Sequence, residues 1–201
     1  GQRQVVQYQS ITTGAQVPAG SSGGVIDLDR DYWGWNARWR HDREWQGGRL
    51  SLSAGLASDH QSDSRKGYEN FIGSTLGVRG ALRREETNRA TTLDPYARAA
   101  WQKTDWTFEG GVRRVEARYV STDRYLSNGD QSGRTDYGAY LPVVGARWQL
   151  TPQVQAFAAV GRGMETPTLN EAAYSASGDA GLNTELNAAR SKSAEIGLRG
   201  R

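Results

Sequence analysis

Apolar and polar residues alternate along most of this chain with a period of two. In the clearest run, Trp33, Trp35 and Trp39 alternate with polar residues such as Asn36 and Arg38. Similar runs cover 50–57, 96–102, 106–113, 143–150, 154–160 and 194–199, and a weaker one covers 2–8. Because successive side chains of a strand point to opposite faces, the pattern predicts about eight two-faced β-strands.

One segment, 182–194, departs from this alternation. Its Ala, Leu, Arg and Glu content is compatible with a helix. We nevertheless predict a loop followed by a strand, because alternation resumes at residue 194.

The connections between the predicted strands alternate between short and long. Short ones lie at 42–48, 103–105 and 151–153, and long ones at 9–31, 60–89, 120–136 and 164–189. Bacterial outer-membrane barrels have short turns on one side of the membrane and long loops on the other. We therefore predict an all-β, antiparallel, up-and-down transmembrane β-barrel architecture. An ordinary soluble antiparallel sandwich is the alternative.

The composition is compatible with such strands. Only 36% of the 201 residues are apolar and the mean hydropathy is −0.73, with no run near the roughly 18 apolar residues of a spanning helix. Barrel strands need lipid-facing residues only at alternate positions. The chain has 25 Gly, 7 Trp and 9 Tyr, and Trp and Tyr are typical of the aromatic girdles of barrels.

Charge and reactive residues argue against other classes of function. The 25 basic and 22 acidic residues are interspersed, so we expect no nucleic-acid partner. There is no Cys, and His41 and His60 are too isolated for a His-rich metal site or a catalytic triad. Glu85 and Glu86 are interpreted as a solvated loop pair. We expect no enzyme and no metal site.

Three blocks of sequence, in order, resemble TonB-dependent outer-membrane receptors for ferric siderophores. The strongest comprises Gly161-Arg-Gly-Met-Glu-Thr-Pro-Thr-Leu-Asn-Glu171, then Gly181-Leu-Asn183 and Glu195-Ile-Gly-Leu198. The others are Gly23-Gly-Val-Ile-Asp-Leu-Asp-Arg30 and Arg65-Lys-Gly-Tyr-Glu-Asn-Phe71. The chain departs from the family at Met164, where an aromatic residue is common, and at Ala188 and Ala189, where Pro-Glu is common.

The resemblance implies a barrel of 22 strands with an N-terminal plug domain and a TonB box, neither of which is recognisable here. We expect residues 1–201 to be one partial barrel domain, an internal piece of a longer chain. It would supply barrel wall and ligand-recruiting loops for TonB-dependent siderophore uptake across a Gram-negative outer membrane. The implied partners are a ferric siderophore, membrane lipid and the TonB complex, reached through the plug. No intrinsic cofactor is expected, since iron arrives only within the ligand.

Two other functions remain open from the residues alone. Eight strands can close a small barrel, which would act as an adhesin or an anchor. The Trp content also fits a soluble carbohydrate-binding β-protein, in which Trp33, Trp35 and Trp39 would line a groove.

Candidate ligand contacts follow from the resemblance. Ferric siderophores are commonly anionic with aromatic or hydroxamate arms, which suits Arg or Lys beside Tyr or Trp. One predicted loop offers these types together, a second offers a pair and the motif loop adds an aromatic: Arg65, Lys66 and Tyr68; Arg124 and Tyr125; and Tyr174. The alternative for each is a solvated charge or an interface aromatic.

The remaining candidates are structural. The family motif residues either contact ligand at the barrel mouth or, as we favour, fix the turn and cap the loop backbone: Glu165, Thr166, Pro167, Asn170 and Glu171. Five arginines are predicted to line the lumen, paired with Glu109 or with plug carboxylates: Arg38, Arg40, Arg98, Arg113 and Arg147.

Overall fold

The computed structural model describes residues 1–172 and 182–200 and is built from long β-strands. The long strands are β1 Gln2–Tyr8, β2 Val25–Trp45, β3 Gly48–Tyr68, β6 Leu82–Lys103, β7 Trp106–Asp123, β8 Gly133–Thr151, β9 Val154–Glu165 and β10 Ala189–Gly200. The minor elements are β4 Phe71–Ile72, β5 Thr75–Leu76, a 3-10 turn at Leu126–Asn128, and the four-residue helices α1 Thr13–Gln16 and α2 Leu169–Ala172. The eight predicted strands are confirmed, and residues 182–188 precede β10 without a helix.

The eight long strands form one antiparallel sheet in the order β1-β2-β3-β6-β7-β8-β9-β10. Strands β4 and β5 make a separate two-stranded hairpin within the β3–β6 connection. The predicted up-and-down arrangement is therefore confirmed. Within the described residues β1 and β10 lie at opposite edges, so the sheet is open and does not close into the eight-stranded barrel of the alternative hypothesis.

The strands are longer than the alternation predicted, and the long loops are correspondingly shorter. Strands β2 and β3 have 21 residues each, whereas a membrane-spanning β-strand needs about 9–11. The long connections are 9–24, 69–81, 124–132 and 166–188, and the strict alternation of long and short connections is confirmed. The predicted loop bounds were wrong because both faces of these strand ends are polar, so the apolar alternation stops where the pairing continues.

The short turns all lie at one end of the strands, which we call the turn end. The long loops lie at the opposite end, which we call the loop end. The turns are 46–47, 104–105 and 152–153. Gln46 and Gly47 have φ values of 50° and 72°, the double left-handed geometry of a two-residue hairpin turn. The predicted connection at 42–48 was too wide, since β2 continues to Trp45.

The pairing register gives the sheet two different faces. We call them the tryptophan face, which carries Trp33, Trp35 and Trp39, and the polar face, which carries Arg38 and Arg40. Cross-strand partners share a face, so the register places these apolar residues on the tryptophan face: Leu50, Leu52, Leu56, Ala97, Trp101, Trp106, Phe108, Val112, Val144, Trp148, Val160, Ile196 and Leu198.

Aromatic rings gather on the tryptophan face near the turn end. Trp106 stacks on Trp148 with ring centroids 5.0 Å apart and on Phe108 at 5.6 Å. Trp101 approaches Phe108 at 6.2 Å and meets Trp45 edge-on at 6.0 Å. These contacts join rings from strands β2, β6, β7 and β8 into one aromatic row, and a membrane-interface girdle at this row stays a prediction.

The five predicted inward arginines all lie on the polar face. Arg98 pairs with Glu109, as predicted, while Arg113 pairs with Asp94 and Arg40 with Asp42. The three arginine side chains in these pairs are 53–57% exposed. Exposed ion pairs contribute about 0–1 kcal/mol each to the free energy of unfolding. These pairs therefore neutralise charge on the polar face but add little to the stability of the fold.

Gly67 is the point where the 9–24 loop meets the polar face. A Cβ atom built on Gly67 would overlap the backbone carbonyl oxygen of Ser22, so the loop lies against the strand without room for a side chain.

We expect Gly67→Ala to displace the 9–24 loop and to cost about 1–3 kcal/mol by overpacking. Hydrogen exchange of residues 16–24 in the intact protein measures the effect. Gly138→Ala is the matched control, because its Cβ would lie 3.5 Å from the nearest atom, in ordinary contact. Unchanged protection in Gly67→Ala would contradict this packing.

Candidate functional site

Three long loops are tied to one another at the loop end. Gln16 of α1 is fully buried, and its Nε2 donates to Asn70 Oδ1 at 2.7 Å. Asn70 donates two further hydrogen bonds. Its backbone N–H donates to Gln16 Oε1 at 2.9 Å, and its Nδ2 donates to the Gln9 carbonyl at 2.7 Å. Asn128 Nδ2 donates to the Ala19 carbonyl at 3.1 Å. The 9–24 loop is thus joined to both the 69–81 and the 124–132 loops.

Below these loops the polar face carries a set of charges that we call the charged belt: Arg30, Asp63, Arg65, Arg84 and Glu86. Arg30 binds Asp63 with two parallel hydrogen bonds of 2.7 and 2.6 Å. Arg84 Nε donates to Glu86 Oε2 at 2.7 Å, and Arg65 lies 3.7 Å from Glu86 Oε1.

The charged belt is buried except for Arg30, which is half-buried. Losing a partner from such a set is expensive, because the remaining buried charge is left uncompensated. The belt therefore holds a set of mutually paired, buried charges directly beneath the loops.

The family motif loop folds onto the polar face of the sheet. Tyr119 of β7 donates its hydroxyl proton to the Pro167 carbonyl at 2.7 Å, and its oxygen lies within hydrogen-bond distance of Thr166 Oγ1 at 3.1 Å. Ala172 and Ala117 are buried beside Tyr119, and this small apolar cluster is completed by Ala90, Tyr137, Leu169 and Leu182. The motif loop is therefore anchored to the sheet at the loop end instead of projecting into solvent.

Glu171 caps the backbone of this loop. Its Oε2 accepts the backbone N–H of Thr168 at 2.7 Å and the Thr168 hydroxyl at 2.9 Å, while Thr168 Oγ1 accepts the Glu171 N–H at 3.2 Å. These bonds, the backbone one first, hold the pKa of Glu171 below its ordinary value. Such reciprocal bonding is a capping box, a structural role for this part of the motif.

The first predicted ligand group does not lie in a loop. Arg65, Lys66 and Tyr68 are on strand β3, and the prediction of a loop there was wrong. Arg65 belongs to the charged belt and is 8% exposed, whereas Lys66 lies on the tryptophan face and pairs with Glu85 at 3.4 Å. Tyr68 packs under the Arg79 guanidinium at 4.7 Å. Neighbouring strand residues face opposite ways, so one small ligand on the polar face reaches Arg65 but not Lys66.

The second predicted group does lie in a loop. Arg124 and Tyr125 open the 124–132 connection, where the Arg124 N–H donates to the Glu85 carbonyl and the Tyr125 N–H to Asp123 Oδ1, both at 2.8 Å. Both side chains keep partial or full exposure. Tyr174 and the side chain of Asn170 lie outside the described residues.

Sequence reasoning missed most of the charged belt. The interpretation of Glu86 as a solvated loop residue was wrong: it is 4% exposed and is bound by Arg84, Arg65 and Asn88. A usable signal was present in β6. Every second residue there is polar at Arg84, Glu86 and Asn88, so the three side chains share one face of the strand. Gln16 and Asn70 gave no such signal, because their contact joins residues 54 positions apart.

The described residues contain neither a metal-binding cluster nor a membrane-spanning helix. Within 1–172 and 182–200, no three His, Asp or Glu side chains are grouped to hold a metal. No helix in the same ranges has the length and apolar character to cross a bilayer.

Comparison with known proteins shows where this arrangement occurs. The family described as TonB dependent receptor-like, beta-barrel matches residues 2–201. The chain belongs to this family. It is a family of receptors and transporters and not a class of enzymes.

Two solved structures share the fold. The ferric citrate transporter FecA in its unliganded form superposes with a TM-score of 0.73 at 13% identity, covering 99% of this chain. The ferric yersiniabactin uptake receptor FyuA from Yersinia pestis gives 0.55 at 15% identity over 88% of the chain. This chain spans 28% and 27% of those two proteins. At such identities the likeness concerns the fold alone.

The anchoring of the motif loop is testable at Tyr119. We expect Tyr119→Phe to leave the buried Pro167 carbonyl without its donor, which costs about 1–3 kcal/mol. Hydrogen exchange of residues 166–172 in the intact protein should rise accordingly. Tyr8→Phe, at an exposed position of β1, is the matched control. Equal protection in the two variants would show that Tyr119 does not hold the loop.

Proposed function

We propose that this chain forms part of the wall and the ligand-recruiting mouth of an outer-membrane receptor for TonB-dependent uptake of ferric siderophores. The observation that carries the proposal is the family match over residues 2–201, on a sheet with one apolar and one charged face. Both proteins of similar fold are named for ferric ligands: one is a ferric citrate transporter and the other is a ferric yersiniabactin uptake receptor.

The tryptophan face supports a place in the outer membrane. Trp33, Trp35 and Trp39 are 57%, 45% and 56% exposed, so they do not form the core of a water-soluble protein. They lie on a stripe that continues across neighbouring strands, not in a groove of the kind a carbohydrate-binding protein would need. Alternating lipid-facing residues of this kind are what a spanning barrel strand requires.

The mouth supports an anionic ligand. The charged belt brings the guanidinium groups of Arg30, Arg65 and Arg84 together, and guanidinium forms strong paired hydrogen bonds with carboxylates and similar anions. Within this proposal Arg65, Arg124 and Tyr125 contact the ligand, with Tyr174 as a further contact outside the described residues. Ligand contacts by Lys66 and Tyr68 stay predictions. They apply only to a ligand that does not bind on the polar face.

The partners follow from the same proposal. A plug domain would connect the wall to the TonB complex, and lipid would cover the tryptophan face. Iron would enter only as cargo within the siderophore, so the segment would need no cofactor of its own.

Uptake of ⁵⁵Fe supplied as ferric citrate and as ferric yersiniabactin tests the function in cells that express the intact protein as their only such receptor. We expect energy-dependent uptake of at least one probe. Arg124→Gln should raise its KM about tenfold or more, since a hydrogen bond to a charged group contributes about 1.5–3 kcal/mol.

Arg43→Gln provides the control, because this exposed arginine lies at the turn end, far from the mouth. Haem and cobalamin serve as competing ligands. Uptake of neither ferric probe, together with binding of haem or cobalamin, would contradict the siderophore proposal.

A further inference from the structure

The 124–132 connection contains the single Asn-Gly sequence of this chain, Asn128-Gly129. An asparagine side chain can close a five-membered ring with the backbone nitrogen of the next residue. A following glycine opposes this approach least, because it carries no Cβ. The other asparagines all precede larger residues: Asn36, Asn70, Asn88, Asn170, Asn183 and Asn187. The sequence therefore marks Asn128 as the asparagine most open to this intramolecular reaction.

The backbone around Gly129 is accessible in the folded protein. Asn128 ends the 3-10 turn Leu126–Asn128, and Gly129 follows it at φ 97°. Gly129 is exposed, and in the described part of the chain nothing lies within 4 Å of the place that a Cβ would take. Its N–H donates to the Leu126 carbonyl at 3.2 Å, the long limit of such bonds. Water and hydroxide therefore reach the residue whose nitrogen would react.

A single hydrogen bond holds the side chain of Asn128. Its Nδ2 donates to the Ala19 carbonyl at 3.1 Å, while its Oδ1 has no partner within residues 1–172 and 182–200. Asn70 provides the contrast, because its side chain is buried and makes two hydrogen bonds. Asn128 must break only one bond to turn its Cγ towards the Gly129 nitrogen.

We propose that Asn128 is a site of spontaneous deamidation, and that the reaction frees the 9–24 loop from the 124–132 loop. The Gly129 nitrogen loses its proton to hydroxide and attacks Cγ of Asn128. The Cγ–Nδ2 bond then breaks, and the leaving amide takes a proton from water to become ammonia. Water opens the resulting five-membered imide at either carbonyl, which leaves aspartate or isoaspartate at position 128. Water is the only co-reactant, and nothing is oxidised or reduced.

The carboxylate that forms does not suit the place of the amide. It has no proton to donate to the Ala19 carbonyl, so two acceptors would face each other where a hydrogen bond now lies. Its other oxygen would take the buried position of Oδ1, and an ionised carboxylate is costly to remove from water without a donor. The carboxylate would therefore turn towards water, and the bond between the two loops would be lost.

The loss is confined to one part of the 9–24 loop. The Gln16–Asn70 contact does not involve Asn128 and remains. Arg83 Nη2 also keeps its bonds to the Val17 and Pro18 carbonyls, at 2.8 and 2.5 Å. The loop would thus loosen at residues 19–22 and stay attached on the side of the 69–81 loop. The inference goes beyond the proposed function and does not depend on it.

Ageing of the intact protein in detergent, in a series of increasingly alkaline buffers, tests the site. Peptide mass spectrometry measures the conversion of amide to acid at each asparagine. We expect modification of Asn128 to rise in proportion to hydroxide concentration and to be absent from Asn128→Gln, which would need a larger ring. Asn187 is the internal control, because it is exposed and donates its side-chain amide to a backbone carbonyl but precedes Ala188. It should stay intact while half of Asn128 reacts.

The same chain unfolded in urea shows how fast the sequence alone reacts. Modification of Asn128 in the unfolded chain but not in the folded protein would overturn the site, because the fold would then protect it. Equal modification of Asn128 and Asn187 in the folded protein would also contradict the proposal.

Hydrogen exchange measures the loosening of the loop. Asn128→Asp carries the carboxylate of the product from the start. We expect exchange of residues 19–22 to rise about five-fold in this variant and in the aged wild type, which corresponds to one net hydrogen bond of about 1 kcal/mol. Exchange of residues 69–72 should not change.

Asn187→Asp is the matched control, since it adds the same charge in another loop, and it should leave residues 19–22 as they are. Unchanged exchange of residues 19–22 in Asn128→Asp would show that the amide does not tie the two loops. An equal rise in Asn187→Asp would show an effect of added charge alone, and either result would overturn the proposed loosening.

Discussion

The antiparallel register of the eight long strands is the constraint on which the rest of the structure depends. Side chains alternate strictly along a strand, so a slip of one residue would exchange the two faces of that strand. With the observed register, Trp35, Leu52 and Trp148 share one face while Arg38, Arg98 and Arg147 share the other. An apolar surface and a polar surface then follow from a single set of backbone pairs, without any run of apolar sequence.

The same register continues past the apolar stretch, and there it organises charge. The charged belt and the buried Gln16–Asn70 contact are polar groups removed from water, which is tolerated only when they bind one another. The Gln16–Asn70 contact joins two of the loops, and Tyr119 separately holds the motif loop against the sheet. On the other face the same strand ends carry charged residues such as Arg162 and Lys192. Strand extension thus gives the loop end two chemically distinct surfaces, one for each side of the wall.

The sequence predicted the part of this fold in which alternation separates apolar from polar residues. Strand β1 was placed at its observed bounds, and the cores of the other seven were found, because Trp, Leu and Val mark one face there. It failed where both faces are polar. Arg65 and Glu86 were placed in a loop although they lie on paired strands and are buried. Burial of a charge depends on its cross-strand partner, and a partner about twenty residues away leaves no local pattern. Backbone capping by Glu171, the role that we favoured for it, needs only a local partner, since Thr168 lies three residues away.

The most direct test of the two-faced wall is a nitroxide scan of residues 50–57, placed one at a time in the intact protein in lipid bilayers. Collision with oxygen, which partitions into lipid, should be high at 50, 52, 54 and 56. Collision with a water-soluble nickel chelate should be high at 51, 53, 55 and 57. This period of two is the result that the register predicts. Equal accessibility at all eight positions, or the opposite phase, would contradict it.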